Sequence, residues 1–167
     1  MNNNPYEMIL SLLNNKGVNY KLINHEPTYT SAESAEARAK GGSPEAIGSK
    51  AILTKMSRGS GIEYNVLVCP NYKKIDSKAL KSNIKDLNQF RFVTREEMLA
   101  LTGLVPGSMP PFAKQVFPQL SHLFIDSELL KHPVLGFNAA TLTCSLVISC
   151  SNYLKIVQPT AMFQFAI

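Results

Sequence analysis

Thr102-Gly103-Leu104-Val105-Pro106-Gly107-Ser108-Met109-Pro110-Pro111-Phe112 packs glycine and proline too densely for a helix or an inner strand. Gly103 and Gly107 are free to take positive φ, whereas Pro106, Pro110 and Pro111 fix φ near −65° and remove backbone donors. The result is a shaped, stiff loop that leaves carbonyls to accept hydrogen bonds. Such a loop serves either as a rigid connection or as a surface presenting backbone oxygens to a small polar ligand without being reordered at each binding event.

Working outward, Thr94-x-x-Glu97 is a capping box for the helix that carries Met98, Leu99 and Leu101 into Gly103, and Phe90 to Val93 before it reads as a short strand. Further upstream, Lys50 to Met56 and Tyr64 to Cys69 read as strands, with Ser57-Arg58-Gly59-Ser60-Gly61 as a hairpin loop by composition. Thr30-x-x-Glu33 caps an alanine-rich helix that stops at Gly41-Gly42. An amphipathic helix over Tyr6 to Lys16, with Ile9, Leu10, Leu12 and Leu13 inward and Gly17 as its stop, precedes a strand over Val18 to Ile23. Downstream, His122 to Ile125, Val134 to Phe137 and Thr141 to Ser149 read as strands, and a last helix or extended segment runs from Asn152 to Val157. Asp126 reads first as a helix N-cap and second as a site residue. Strands clustered toward both ends with helices between them give an α+β chain and argue against a doubly wound sheet. The apolar tail from Phe163 to Ile167 either completes the core or meets a partner.

With 167 residues, 45% of them hydrophobic and 17% charged, the chain is one globular domain. No apolar run is long enough to cross a bilayer, and Met1 to Pro5 lacks the basic and apolar regions of a signal peptide, so a cytoplasmic location is expected. Cys69, Cys144 and Cys150 are odd in number and lie in apolar contexts, which fits buried thiols. His122 and His132 fall outside metal-ligand spacing, so neither metal nor cofactor is expected. Of the net charge of +5, much is local. Lys73, Lys74, Lys78, Lys81 and Lys85 crowd one region, the last three at i, i+3 and i+7 of a helix that Asp76 can cap. They form either a solvated face or a docking stripe for a polyanion. Lys50 opens an otherwise apolar strand, where an ammonium is costly unless it faces a polar cleft.

These segments, in this order, resemble the YbaK/prolyl-tRNA-synthetase-associated domain family of aminoacyl-tRNA editing domains. The resemblance runs from about Tyr20 to about Val157. It rests on His25-Glu26-Pro27, on Lys50 after Gly48-Ser49, on Gly107-x-x-x-Pro111 with Thr102-Gly103 before it, and on Phe124-Ile125-Asp126. It implies a mixed, strongly curved, β-barrel-like sheet flanked by helices. It also implies an aminoacyl-tRNA deacylase acting in trans, on tRNA-Pro carrying a small non-cognate amino acid, with prolyl-tRNA synthetase as a possible further partner. In that reading Lys50, Gly107 and Asn138 are catalytic. His25, Thr30, Gly103, Ser108, Met109, Pro110 and Pro111 bind substrate, His25 alternatively fixing its turn. Lys74, Lys78, Lys81 and Lys85 meet the tRNA. Family members specific for alanyl or cysteinyl esters carry asparagine or threonine after the lysine, where this chain has Ala51. The rival reading is a noncatalytic module that binds tRNA ends or aminoacyl groups on the same fold.

Overall fold

The computed structural model describes residues 4–167. Helix α1, Pro5–Asn15, starts where Asn4 accepts from Tyr6 N and buries Ile9 and Leu13; Leu10 and Leu12 are only half-buried. Strand β1, Tyr20–Asn24, leads to α2, Ser31–Lys40, which begins with the expected capping box: Thr30 Oγ1 accepts from Glu33 N while the Glu33 carboxylate accepts from Thr30 N. The long hairpin of β2, Ile47–Arg58, and β3, Gly61–Pro70, follows. Next come α3, Ser77–Asn83, β4, Leu87–Phe92, and α4, Arg95–Thr102, with its own Thr94/Glu97 capping box. Beyond the proline-rich loop lie β5, Leu123–Asp126, a 3-10 helix, Ser127–Lys131, β6, Val134–Asn138, β7, Cys144–Ser149, α5, Cys150–Val157, and β8, Ala161–Phe163.

The eight strands form one mixed sheet in the order β1-β7-β6-β2-β3-β5-β8, with β4 also paired to β2. The α+β expectation holds, but β1 and β8 do not pair with each other among the described residues, so the sheet is not a closed barrel. Side chains alternate between its faces. Leu53, Val66, Val68 and Ile125 pack into the larger core with α1, α5 and the proline-rich loop, whereas Leu67, Cys69 and Phe124 join Leu80, Ile84 and Phe165 on the other side.

Several sequence expectations give way here. Ser57, Arg58 and Gly61 are strand residues, and only Gly59 and Ser60 turn. β4 pairs with Ser57 and Arg58, and Arg58 also reaches Glu63 at 3.2 Å, so the polar stretch is held in the sheet by a third strand. Lys50 lies inside β2 rather than opening it, because Ile47 and Gly48 already pair with β6. The three-lysine stripe is broken: Ile84 is extended and buried beside Leu80, so α3 ends before Lys85. Lys74, Lys78, Lys81 and Lys85 are all exposed.

The apolar tail completes the smaller core. β8 adds parallel to β5, and Phe165 and Ala166 are buried. Asp126 is the N-cap of the 3-10 helix through Oδ1, and its Oδ2 accepts from both Phe165 N and Ala166 N at 2.7 Å.

Candidate active site

Strands β2 and β6 run parallel through only two residue pairs, Ile47 with Leu135 and Gly48 with Gly136. The same edge of β2 is next taken up by β4, whose pairing begins at Thr54. Between these two partners the edge is bare, and a cleft of about 280 Å³ opens there. In an antiparallel ladder, alternate residues send their backbone groups to opposite sides. Gly48 O accepts from Asn71 N on the β3 side, and Leu53 O accepts from Val93 N on the other. Ala51, in phase with Leu53, therefore turns its N–H and C=O toward the cleft.

The proline-rich loop closes one wall with Pro106, Gly107 and Met109. Gly103 ends α4 in the left-handed conformation at φ 74°, and Gly107 has φ 90°, so both glycines stand where a side chain would be strained. Four of the loop's carbonyls are already engaged, two from within the loop and two from other elements, contrary to the expectation that they would stay free. Val105 O accepts from Ser108 N and Oγ, Pro110 O from Phe112 N, and Pro111 O from the hydroxyl of the fully buried Tyr153 at 2.6 Å. Gly107 O accepts from Asn138 Nδ2 at 2.9 Å. This wall is pre-formed rather than plastic.

Of the residues singled out in the sequence, Lys50, Gly107, Asn138, Thr30 and Met109 come together around the cleft. The Lys50 ammonium donates to the Lys73 carbonyl, which leaves two of its three protons for a ligand. Asn138 bridges Gly107 and Thr28, and Ser34 Oγ donates to Thr28 Oγ1 at 2.9 Å. Gly103, Ser108, Pro110 and Pro111 do not line the cleft; the last three are buried beneath it as supports. His25 faces a second depression instead. Its Nδ1–H donates to the Glu26 carbonyl at 2.8 Å, and its Nε2 lies 2.9 Å from Ser145 Oγ. The Ser145 hydroxyl donates to Asn138 Oδ1 at 3.3 Å, which ties His25 to the cleft wall through one intermediate. The four lysines Lys74, Lys78, Lys81 and Lys85 lie outside the cleft.

Sequence reasoning overlooked Arg38, which lines the cleft while only 2% exposed. Among the described residues, Arg38 and Lys50 are the only Lys, Arg, Asp, Glu or His in the lining, so the pocket is electropositive, with no carboxylate or imidazole from those residues. Cys69, paired with Lys50 across the hairpin, is no nucleophile either: burial pushes its thiol up to about 11 despite the nearby ammonium. Among the described residues no cluster of His, Cys, Asp and Glu has the makings of a metal site, and no helix is long and apolar enough to cross a membrane.

The comparisons with known proteins agree with this architecture. A hypothetical protein, APE2540, superposes with a TM-score of 0.76 over 96% of this chain and 100% of its own, at 20% identity. A candidate trans-editing enzyme for prolyl tRNA synthetase gives a TM-score of 0.70 over 94% of both chains, at 17% identity. At these identities the likeness shows a shared fold. The Multifunctional Ser/Thr-tRNA deacylase ProXp-y of Escherichia coli (strain K12) is 29% identical over 156 residues, spanning 92% of this chain and 89% of that protein. The model of the aminoacyl-tRNA editing domain matches residues 25–156, which include the whole cleft, and the chain belongs to that family.

Proposed function

We propose that this protein hydrolyses the ester bond of mischarged aminoacyl-tRNA in trans, in the cytoplasm, with a small amino acid as the group removed. The observation that carries this reading is the cleft itself: two cations, no acid and no histidine, beside a stretch of exposed strand backbone. The electropositive lining suits the phosphate-rich 3′ end of a tRNA. An aminoacyl ester is already activated, so its hydrolysis needs a placed water and stabilisation of the developing oxyanion rather than an enzymic nucleophile. The free protons of Lys50 and the Ala51 N–H are donors for that purpose. The substrate's own 2′-hydroxyl supplies the remaining polar group near the water. Asn138 holds Gly107, and with it the loop wall, against the reacting end.

Selection among amino acids is steric in this reading. Leu53, Val93, Met98, Met109 and Phe137 make an apolar lining, and one methylene of favourable contact is worth only about 1–3 kcal/mol, so exclusion discriminates better than attraction. Ala51 offers no side-chain hydrogen bond to the bound residue. The relative's name makes seryl and threonyl esters candidates, and the structural neighbour's name supports tRNA-Pro as the carrier and prolyl-tRNA synthetase as a partner.

The test is a deacylation panel of tRNA-Pro charged separately with alanine, cysteine, serine, threonine and proline, run with wild type and Lys50→Ala. Expected is selective loss of a small non-cognate species, slowed about 10²–10³-fold by the substitution, the usual effect of removing one oxyanion donor. No hydrolysis of any species, with tRNA binding retained, would refute the enzyme and leave the noncatalytic module.

A further inference from the structure

Of the two cations in the cleft, Arg38 is the one whose side chain has no hydrogen-bond partner among the described residues. It stands in the last turn of α2, and the helix C-terminus gives it only a partial negative charge. Among the described residues no carboxylate pairs with it, no hydrogen bond engages its side chain, and Nε is sealed from water without an acceptor. Burial of an unpaired charge is expensive, so the fold must make specific room for it. It does so with two glycines. At Gly136 an added Cβ would lie 2.6 Å from Arg38 Nε, and at Gly48 it would lie 2.9 Å from Arg38 Nη2. These glycines are the in-register pair of β2 and β6, so the side chain lies across the junction from which the cleft opens. Two residues further along the same faces are Lys50 and Asn138.

We infer that Arg38 is an anion-binding residue of this cleft, completed by the phosphodiester next to the terminal nucleoside of the bound RNA. The inference rests on the deacylase reading for the identity of that RNA. A phosphodiester fits better than the ester carbonyl because its charge is permanent and balances the guanidinium throughout binding, whereas the carbonyl is charged only in passing. Guanidinium and phosphate also match in shape, two N–H groups facing two oxygens. Lys50 is a weaker candidate for this task, since the Lys73 carbonyl already engages its ammonium.

The experiment compares 5′-AMP with adenosine, by calorimetry, on wild type and on Arg38→Met. Wild type is expected to bind 5′-AMP at least about tenfold more tightly than adenosine, as for a charge-assisted pair worth about 1.5–3 kcal/mol. Arg38→Met is expected to keep its adenosine affinity and lose the preference. Equal affinities on wild type would overturn the inference whether or not the variant folds, and so would a preference that survives in Arg38→Met. Parallel kinetics on 3′-aminoacyl-AMP and 3′-aminoacyl-adenosine should show the substitution acting on KM; a fall in kcat alone, equal for both esters, would instead place Arg38 at the oxyanion and overturn the phosphate assignment. Binding of AMP requires no hydrolysis. A protein that prefers AMP but deacylates no tRNA therefore refutes the proposed function and spares this inference, while deacylation without the preference does the reverse.

Discussion

Asp126→Asn tests how the last segment of the chain is held. The carboxylate is fully buried, with Oδ1 2.9 Å from Glu128 N and Oδ2 2.7 Å from both Phe165 N and Ala166 N. An amide offers one oxygen where the carboxylate offers two. If that oxygen keeps the two tail bonds, the NH₂ group is turned on the Glu128 N–H, donor against donor. One bond to a charged group is lost, worth about 1.5–3 kcal/mol, and the two that remain weaken as the charge disappears. A total of about 3 kcal/mol is a conservative sum, and at about 2–4 °C per kcal/mol for a chain of this size it lowers Tm by about 6–12 °C. Thermal and urea unfolding followed by circular dichroism would measure it. Because Asp126 does not line the cleft, deacylation at temperatures well below the lower Tm should be unaffected. A Tm shift under about 2 °C would show that the tail does not depend on this carboxylate and would refute the reasoning.

Acid stability should depend on Glu97. Its carboxylate accepts from Arg91 at 2.6 and 2.8 Å and from Thr94 N at 2.8 Å, and these bonds, Arg91 first, hold its pKa down at about 2. A folded-state pKa below the unfolded value stabilises the fold above about pH 4.5 and loses that contribution as pH falls toward 2; Glu97→Gln should flatten this part of a stability–pH curve, and an unchanged curve would count against it. The exposed pair Lys78 and Lys81 supplies the last prediction. Their joint replacement by alanine should weaken tRNA binding and reduce the slope of log K against log salt by about 1 per lysine, whereas an unaltered slope would remove them from the interface.

What the sequence made legible was local. Both threonine–glutamate capping boxes, the Asp76 cap and the two positive-φ glycines of the loop follow from interactions within a few residues, and each stands where the spacing puts it. The lysine stripe failed at Lys85 because burying Ile84 outweighed one further turn of helix. Arg38 was illegible for a related reason. A basic residue in an alanine-rich helix reads as solvated, and only the parallel register of Gly48 with Gly136, distant in sequence, creates the slot that buries it. Likewise, the loop's prolines suggested free carbonyls, but Asn138 and Tyr153, which occupy two of them, come from other elements.

The short parallel contact between β2 and β6 also bears on how the protein reaches its active form. Only two residue pairs join these strands, Ile47 with Leu135 and Gly48 with Gly136, yet they unite segments far apart along the chain. The β2–β3 hairpin is local and can form early. Closing the intervening chain onto β2 carries a loop entropy that so short a ladder cannot offset alone, and it must wait for β7 and the larger core to hold β6 in place. Lys50 and Arg38 therefore meet Asn138 only when folding is nearly complete. A partly folded chain has no half-built cleft, and recovery of a working site during refolding should coincide with the final cooperative step.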